Sequence, residues 1–208
     1  MTAREEVLGR IRAALADVPA DDEVHVPRDY ARSVPADVDV PHLFAERVAD
    51  YRAEVHRVTP AQLVDTVAQV LTRHGVRRLV TPPDLPGGWL AAAHVQVVPD
   101  DGSLTAPELD AFDGVVTGAA VGIAETGTIV LDGGTAQGRR ALSLVPDFHL
   151  CVVHTEQVVG TVPEAVARLD PVRPLTWISG PSATSDIELQ RVEGVHGPRT
   201  LVVLLVSP

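Results

Sequence analysis

The sequence predicts an α/β protein, a sandwich three layers thick around a largely parallel sheet. Two observations carry that expectation. Apolar runs of strand length, such as Leu201–Val206, are unbroken rather than alternating, which is how strands buried on both faces under helices read. Stretches of helical and strand periodicity then alternate along the chain. Hydrophobic residues make up 45% of the 208 residues and aromatics only 3%, so the core falls to Val, Leu, Ile and Ala. A chain of this length can bury a sizeable core.

The elements follow in order. Arg4–Ala16 reads as a helix with Val7, Leu8, Ile11, Ala14 and Leu15 on one face. From Asp17 to Pro41 the periodicity stops, and Pro19, Pro27, Pro35 and Pro41 punctuate a polar stretch read as an extended arm. Residues 1–40 are therefore expected to form an N-terminal helix and arm, and residues 41–208 the α/β domain. Leu43, Phe44, Val48 and Tyr51 mark the next helix. Thr59-Pro60 opens another as N-cap and first-turn proline, striped by Leu63, Val64, Val67, Val70 and Leu71 and closed by His74-Gly75. Strands are expected at Arg78–Thr81, Val95–Val98, Val115–Val121, Thr128–Leu131, Leu150–His154, Leu175–Ser179 and Leu201–Val206. Trp89–Ala93, Pro163–Leu169 and Ser185–Arg191 read as helices.

Composition excludes several functions. A net charge of −11 repels phosphate backbones, so nucleic acid is not an expected partner. No segment approaches the roughly 18–20 consecutive apolar residues of a membrane helix, and the charged N-terminal helix is unlike a signal peptide. An integral membrane protein is not expected, and the location expected is cytoplasmic. All 17 basic residues are arginine, which removes a Walker-A lysine, a Schiff-base lysine and a Ser–Lys dyad. The one cysteine, Cys151, reads as a buried strand residue, and one thiol cannot hold an iron–sulfur cluster. The eight histidines form no ligand pattern, so no metal site is expected.

Three segments carry candidate chemistry, and strand carboxyl ends are where open α/β sheets place ligands. The first is Ala124–Thr128. Glu125, set between the apolar runs Val115–Val121 and Ile129–Leu131, reads either as a solvent-facing turn residue or as a buried nucleophile or base beside the hinge glycine Gly127. The second is the glycine-rich loop Asp132–Arg140, whose Arg139 and Arg140 either face water or hold a carboxylate or phosphate. It lacks the glycine spacing of a dinucleotide fingerprint. The third is Ser179–Glu188. Ser185 with Glu188 makes a capping box, leaving Ser182 and Thr184 as extra hydroxyls at a helix start, where N–H groups attract anions. His196 lies in a glycine-flanked turn before the last strand.

IAETGTIVL, RRALSLVPDFH and ISGPSATSDIELQRVEGVHGPR resemble, in that order, the motifs of the lactate-utilization protein C family, the LUD-domain proteins. The N-terminal REEVLGRIRAAL is similar to the family's first helix. The resemblance spans nearly the whole chain. It implies a fold like the ribose-phosphate isomerase and CoA-transferase superfamily, and membership of a three-component system that oxidises L-lactate to pyruvate. It implies iron–sulfur partner subunits, with no cofactor bound by this chain, and leaves a homo-oligomer open. Carried over residue by residue, it picks out Glu125, Thr126 and Gly127, then Arg140, Ser143, Pro146 and His149. It also picks out Gly180, Pro181, Ser182, Thr184, Asp186 and Glu188, then Glu193, Gly194, His196, Gly197 and Pro198. Glu125 is the expected catalytic residue, and Thr126, Gly127, Arg140, His149, Gly180, Ser182, Thr184, Asp186 and His196 the expected ligand-binding ones.

Three functions remain open on the sequence. The leading one is a non-redox subunit of a lactate-oxidising system that binds a small anion. The second is an independent acyl-, CoA- or sugar-phosphate-processing enzyme using Glu125. The third is an assembly scaffold that docks partners through the arm.

Overall fold

The structure, a computed structural model, describes residues 2–18, 26–184, 192–193 and 196–208, with backbone alone for 183–184 and 192–193. The chain divides into two compact units, residues 1–31 and 32–208. The first carries helix α1 (Ala3–Ala14), started by a capping box: Thr2 Oγ1 accepts from the Glu5 amide and Glu5 Oε2 accepts from the Thr2 amide at 2.7 Å.

The second unit runs α2 (Val40–Asp50), β1 (Glu54–Val58), α3 (Pro60–Arg73), β2 (Arg78–Thr81), β3 (Gln96–Pro99), α4 (Ala106–Asp110), β4 (Gly114–Thr117), β5 (Val121–Ile123) and β6 (Thr128–Leu131). It continues with β7 (Phe148–His154), β8 (Val158–Val159), α5 (Val162–Arg168), β9 (Thr176–Ile178), β10 (Ala183–Thr184), β11 (Val192–Glu193) and β12 (Thr200–Val206). Short 3-10 turns occupy Gly87–Leu90, Arg140–Ser143 and Thr155–Gln157.

Six strands form the main sheet in the order β1-β12-β7-β4-β2-β3, every pair parallel. The unbroken apolar run of β12 has the expected cause. Val202, Leu204 and Val206 pack under α3 with Leu63, Val67, Val70 and Leu71, while Leu201, Val203 and Leu205 face the other way onto α2 and the second sheet. Strand β7 divides likewise, with Phe148, Leu150 and Val152 towards α3 and Cys151 and Val153 opposite. Leu204 is wholly buried, and its truncation to alanine would cost about 2–5 kcal/mol.

The expected single sheet is corrected here. The stretch Val115–Val121 is not one strand: it leaves the main sheet after Thr117 and re-forms as β5 in a separate sheet ordered β8-β5-β6-β9. Gly118 sits at the crossing, where its amide donates to the Ala136 carbonyl at 2.7 Å. In this sheet β5 and β6 form an antiparallel hairpin, β9 pairs antiparallel with β6, and β8 lies parallel to β5. Ile129 and Leu131 face the main sheet, whereas Val121, Ile123 and Val130 pack on α5 through Ala165 and Leu169. One face of the main sheet is thus covered by a second sheet together with α2, where the sandwich pattern called for helices alone.

Smaller differences have local causes. Strand β1 was not expected, because EVHRV interleaves charged residues at a sheet edge and lacks the buried-strand signature. In place of the expected helix Trp89–Ala93 there is a 3-10 turn at Gly87–Leu90, and α4 is too short for its period to register. Residues from 32 onward are pinned to the body: Thr161 Oγ1 donates to the Arg32 carbonyl at 3.0 Å, and the Val34 side chain lies over Gly160. The expected helix Ser185–Arg191 lies outside the described residues. No described helix is long and apolar enough to cross a membrane.

Candidate functional site

A cleft of about 460 Å³ opens where β7, β12 and β9 meet the loops at 179–182 and 196–198. That volume suits a small molecule. Its walls include Arg140 and Ser143 from the 3-10 turn, His149 from β7, Thr176 and Trp177 from β9, and Ser179, Gly180, Ser182 and His196 from the loops. His149 and Leu201 are the second residues of their strands, so the cleft lies at the amino ends of β7 and β12. Ser179 and Gly180 follow β9, so in the second sheet the cleft does lie at a carboxyl end, as expected. In the main sheet it does not, because at their carboxyl ends β4 and β7 run on into β5 and β8 and are taken up by the second sheet.

Arg140 reaches the cleft because its neighbours are committed elsewhere. Arg139 forks onto the buried Asp100, Nε to Oδ2 at 2.7 Å and Nη2 to Oδ1 at 3.1 Å. The glycine-rich loop is held from within and from outside: Gly134 N donates to Asp132 Oδ1 at 3.0 Å and Asp132 N to Gln137 Oε1 at 2.6 Å, while Ala136 N donates to Asp84 Oδ2 at 3.0 Å. Arg173 pairs with Asp132 at 2.8 Å. The amides of Asp132, Gly134 and Ala136 are thus committed to holding the loop. Arg140 makes no side-chain hydrogen bond or ion pair among the described residues and borders the cleft.

His149 is 1% exposed, yet it is among the residues that line the cleft. Its Nε2 lies 2.8 Å from Thr117 Oγ1, and its Nδ1 is buried with no partner. Burial lowers its pKa from 6.5 to about 4, so the ring is neutral near pH 7. Cys151 shares this buried corner and is no nucleophile: burial pushes its thiol up to about 12.

The loops are stitched together. Ser182 N donates to the Pro198 carbonyl at 2.8 Å, and Ser182 Oγ accepts from His196 N at 2.9 Å. Gly180, at φ +82°, passes so near Tyr51 that a Cβ there would lie 2.6 Å from the Tyr51 Cβ. Of Thr184 only the backbone is described, in β10. Asp186 and Glu188 lie outside the described residues.

Of the two readings left open for Glu125, the structure agrees with the solvent-facing turn residue and not with the buried acid. Glu125 is exposed at the β5–β6 turn and outside the cleft, and its carboxylate has no partner among the described residues. The expected buried acid is therefore corrected: only the backbone of this turn is held, with Glu125 N donating to the Gly160 carbonyl at 3.0 Å. Gly127 answers a packing demand. At φ +58°, a Cβ there would lie 2.6 Å from the Arg47 carbonyl. Thr126 does connect towards the cleft, since its hydroxyl lies 2.7 Å from that of Thr128, which lies 2.8 Å from that of Ser179. The structure thus brings together Arg140, His149, Gly180, Ser182 and His196, and leaves Glu125, Thr126 and Gly127 outside.

Thr176 and Trp177 line the cleft but were read only as strand, whereas Ser179 had opened the third candidate segment. The usable signal was Trp177, one of two tryptophans in an aromatic-poor chain, which stays 41% exposed. Among the described residues no group of His, Cys, Asp and Glu side chains is placed to hold a metal ion.

Comparison with known proteins agrees with this geometry. The LUD domain family matches residues 42–206. Lactate utilization protein C of Deinococcus radiodurans is 51% identical over 170 residues, covering 80% of this chain and 79% of that protein. Lactate utilization protein C of a Geobacillus species is 27% identical over 171 residues, covering 72% and 70%. A crystal structure of a DUF162 family protein from Deinococcus radiodurans superposes with a TM-score of 0.68 at 42% identity, covering 80% of this chain and 96% of that one. With the matched region spanning the main sheet and every described wall of the cleft, this chain belongs to the LUD-domain family.

Proposed function

We propose that this chain is the non-redox subunit of a system that oxidises L-lactate to pyruvate, and that its cleft binds a small carboxylate. The observation that carries the anion site is Arg140, whose guanidinium has no protein partner among the described residues and borders a cleft rich in hydroxyls. A guanidinium grips a carboxylate through two parallel N–H bonds, and surrounding hydroxyls orient it. The lactate assignment is supported by the names of the relatives, one of them 51% identical. The single cysteine, wholly buried, supports assigning the iron–sulfur clusters of such a system to partner proteins. Glu125 is exposed and does not line this cleft, which weighs against an enzyme working through it.

Reconstitution tests the reading. The chain is purified alone and together with candidate iron–sulfur partner proteins, and L-lactate oxidation is followed with an artificial electron acceptor. Oxidation is expected only when all components are present. Turnover by this chain alone, or undiminished turnover by the partners without it, would overturn the assignment.

A further inference from the structure

The unpartnered Nδ1 of His149 belongs to a hydrogen-bond chain whose direction can be worked out. The Gly118 carbonyl ends the chain and can only accept, so it takes the Cys151 thiol hydrogen at 3.6 Å. Cys151 Sγ then accepts from the Thr117 hydroxyl at 3.7 Å. Having donated there, Thr117 Oγ1 accepts from His149 Nε2–H at 2.8 Å. Nδ1 is left as a bare lone pair. The opposite sense would put an N–H at Nδ1, buried with no acceptor, and a stranded buried donor is the rarer and costlier fault.

Resting on the small-carboxylate reading above, we infer that His149 is the residue by which the cleft tells a hydroxy acid from the corresponding oxo acid. With Arg140 holding the carboxylate, a hydroxyl on the adjacent carbon meets the His149 ring where it borders the cleft and, by displacing the side chains that cover Nδ1, donates its hydrogen to that nitrogen. An oxo group there has no hydrogen to give and sets a second lone pair against the first. Two of the cleft hydroxyls are committed elsewhere: Ser143 Oγ donates to the Arg140 carbonyl at 3.2 Å, and Ser179 Oγ is engaged with Thr128 at 2.8 Å. A buried acceptor of this kind discriminates strongly because the ligand lacking the hydroxyl leaves it unmet. His149 would thus make the cleft favour substrate over product in lactate oxidation and help release the product.

Two measurements test this on the full chain. In protein labelled with 15N-histidine, long-range 1H–15N spectra report the tautomer of His149, and Nε2–H with bare Nδ1 is expected. An Nδ1–H tautomer would overturn the inference without any ligand. Calorimetric titrations then compare L-lactate, pyruvate and propionate, with L-lactate expected to bind at least about tenfold tighter than the other two. In His149→Phe that gap should collapse while propionate binding persists. Equal affinity for all three in the wild type would overturn the role of His149 and leave the anion site standing. Failure of all three to bind would overturn the anion site as well.

Discussion

The Glu125–Gly127 turn and the Gly180–Ser182 loop look alike in sequence, each a glycine beside polar side chains after an apolar run. Both also lean on the end of the same helix. A Cβ on Gly127 would strike the Arg47 carbonyl, and a Cβ on Gly180 would strike Tyr51, the residue that caps α2. Their glycines therefore answer one packing demand and say nothing about ligands. What separates the regions is polar groups left unmet near a cavity. The Gly180 loop walls a cleft that also holds a guanidinium and a buried imidazole nitrogen, both without a partner among the described residues. The turn offers only an exposed carboxylate.

The likeness is broken or sharpened by substitution, and the largest effect belongs to the glycines. Gly127→Ala and Gly180→Ala each combine a positive φ with a backbone or Cβ clash, so each should destabilise by roughly 2–4 kcal/mol in urea unfolding. Gly133→Ala, at φ +69° with room around it, should cost about 1 kcal/mol. Equal small losses at all three would deny α2 its anchoring role.

Next comes pH, which should act through the cleft and not through the turn. His149 has its folded pKa lowered from 6.5 to about 4 by burial, so between those values the unfolded chain binds more protons than the folded one. Stability therefore rises with pH across that window. It is lost as pH falls from about 6.5 to about 4, by roughly 3 kcal/mol in all. His149→Phe should remove that slope, whereas Glu125→Gln should leave it intact. Smaller still, Glu125→Gln should change stability by less than about 0.5 kcal/mol, as for an exposed side chain without partners. Cys151, with its thiol raised to about 12, should resist alkylation in the folded protein near pH 8.

Much of this architecture was legible in the sequence because it rests on local pattern. Thr59-Pro60 and the stripe after it give α3, and the apolar run at the C-terminus gives β12. The second sheet was not legible, since whether the chain stays in one sheet or crosses at Gly118 depends on what pairs with β5. The same crossing keeps the site away from the carboxyl ends of β4 and β7, because both strands continue there into the second sheet, and leaves it at the carboxyl end of β9. Arg140 and His149 were found through the motif RRALSLVPDFH. Choosing Arg140 over Arg139 needed the position of Asp100, which is 39 residues away in sequence. Glu125 misled because apolar neighbours on both sides suggested burial, while a two-strand hairpin points its turn outward.

The most direct test of the account is the affinity for L-lactate of the wild type, Arg140→Ala and Glu125→Gln, measured by titration calorimetry on folded protein. The account predicts at least about a tenfold loss for Arg140→Ala, as expected for removal of a charge-assisted hydrogen bond, and none for Glu125→Gln. Loss confined to Glu125→Gln, with Arg140→Ala binding as the wild type does, would contradict it.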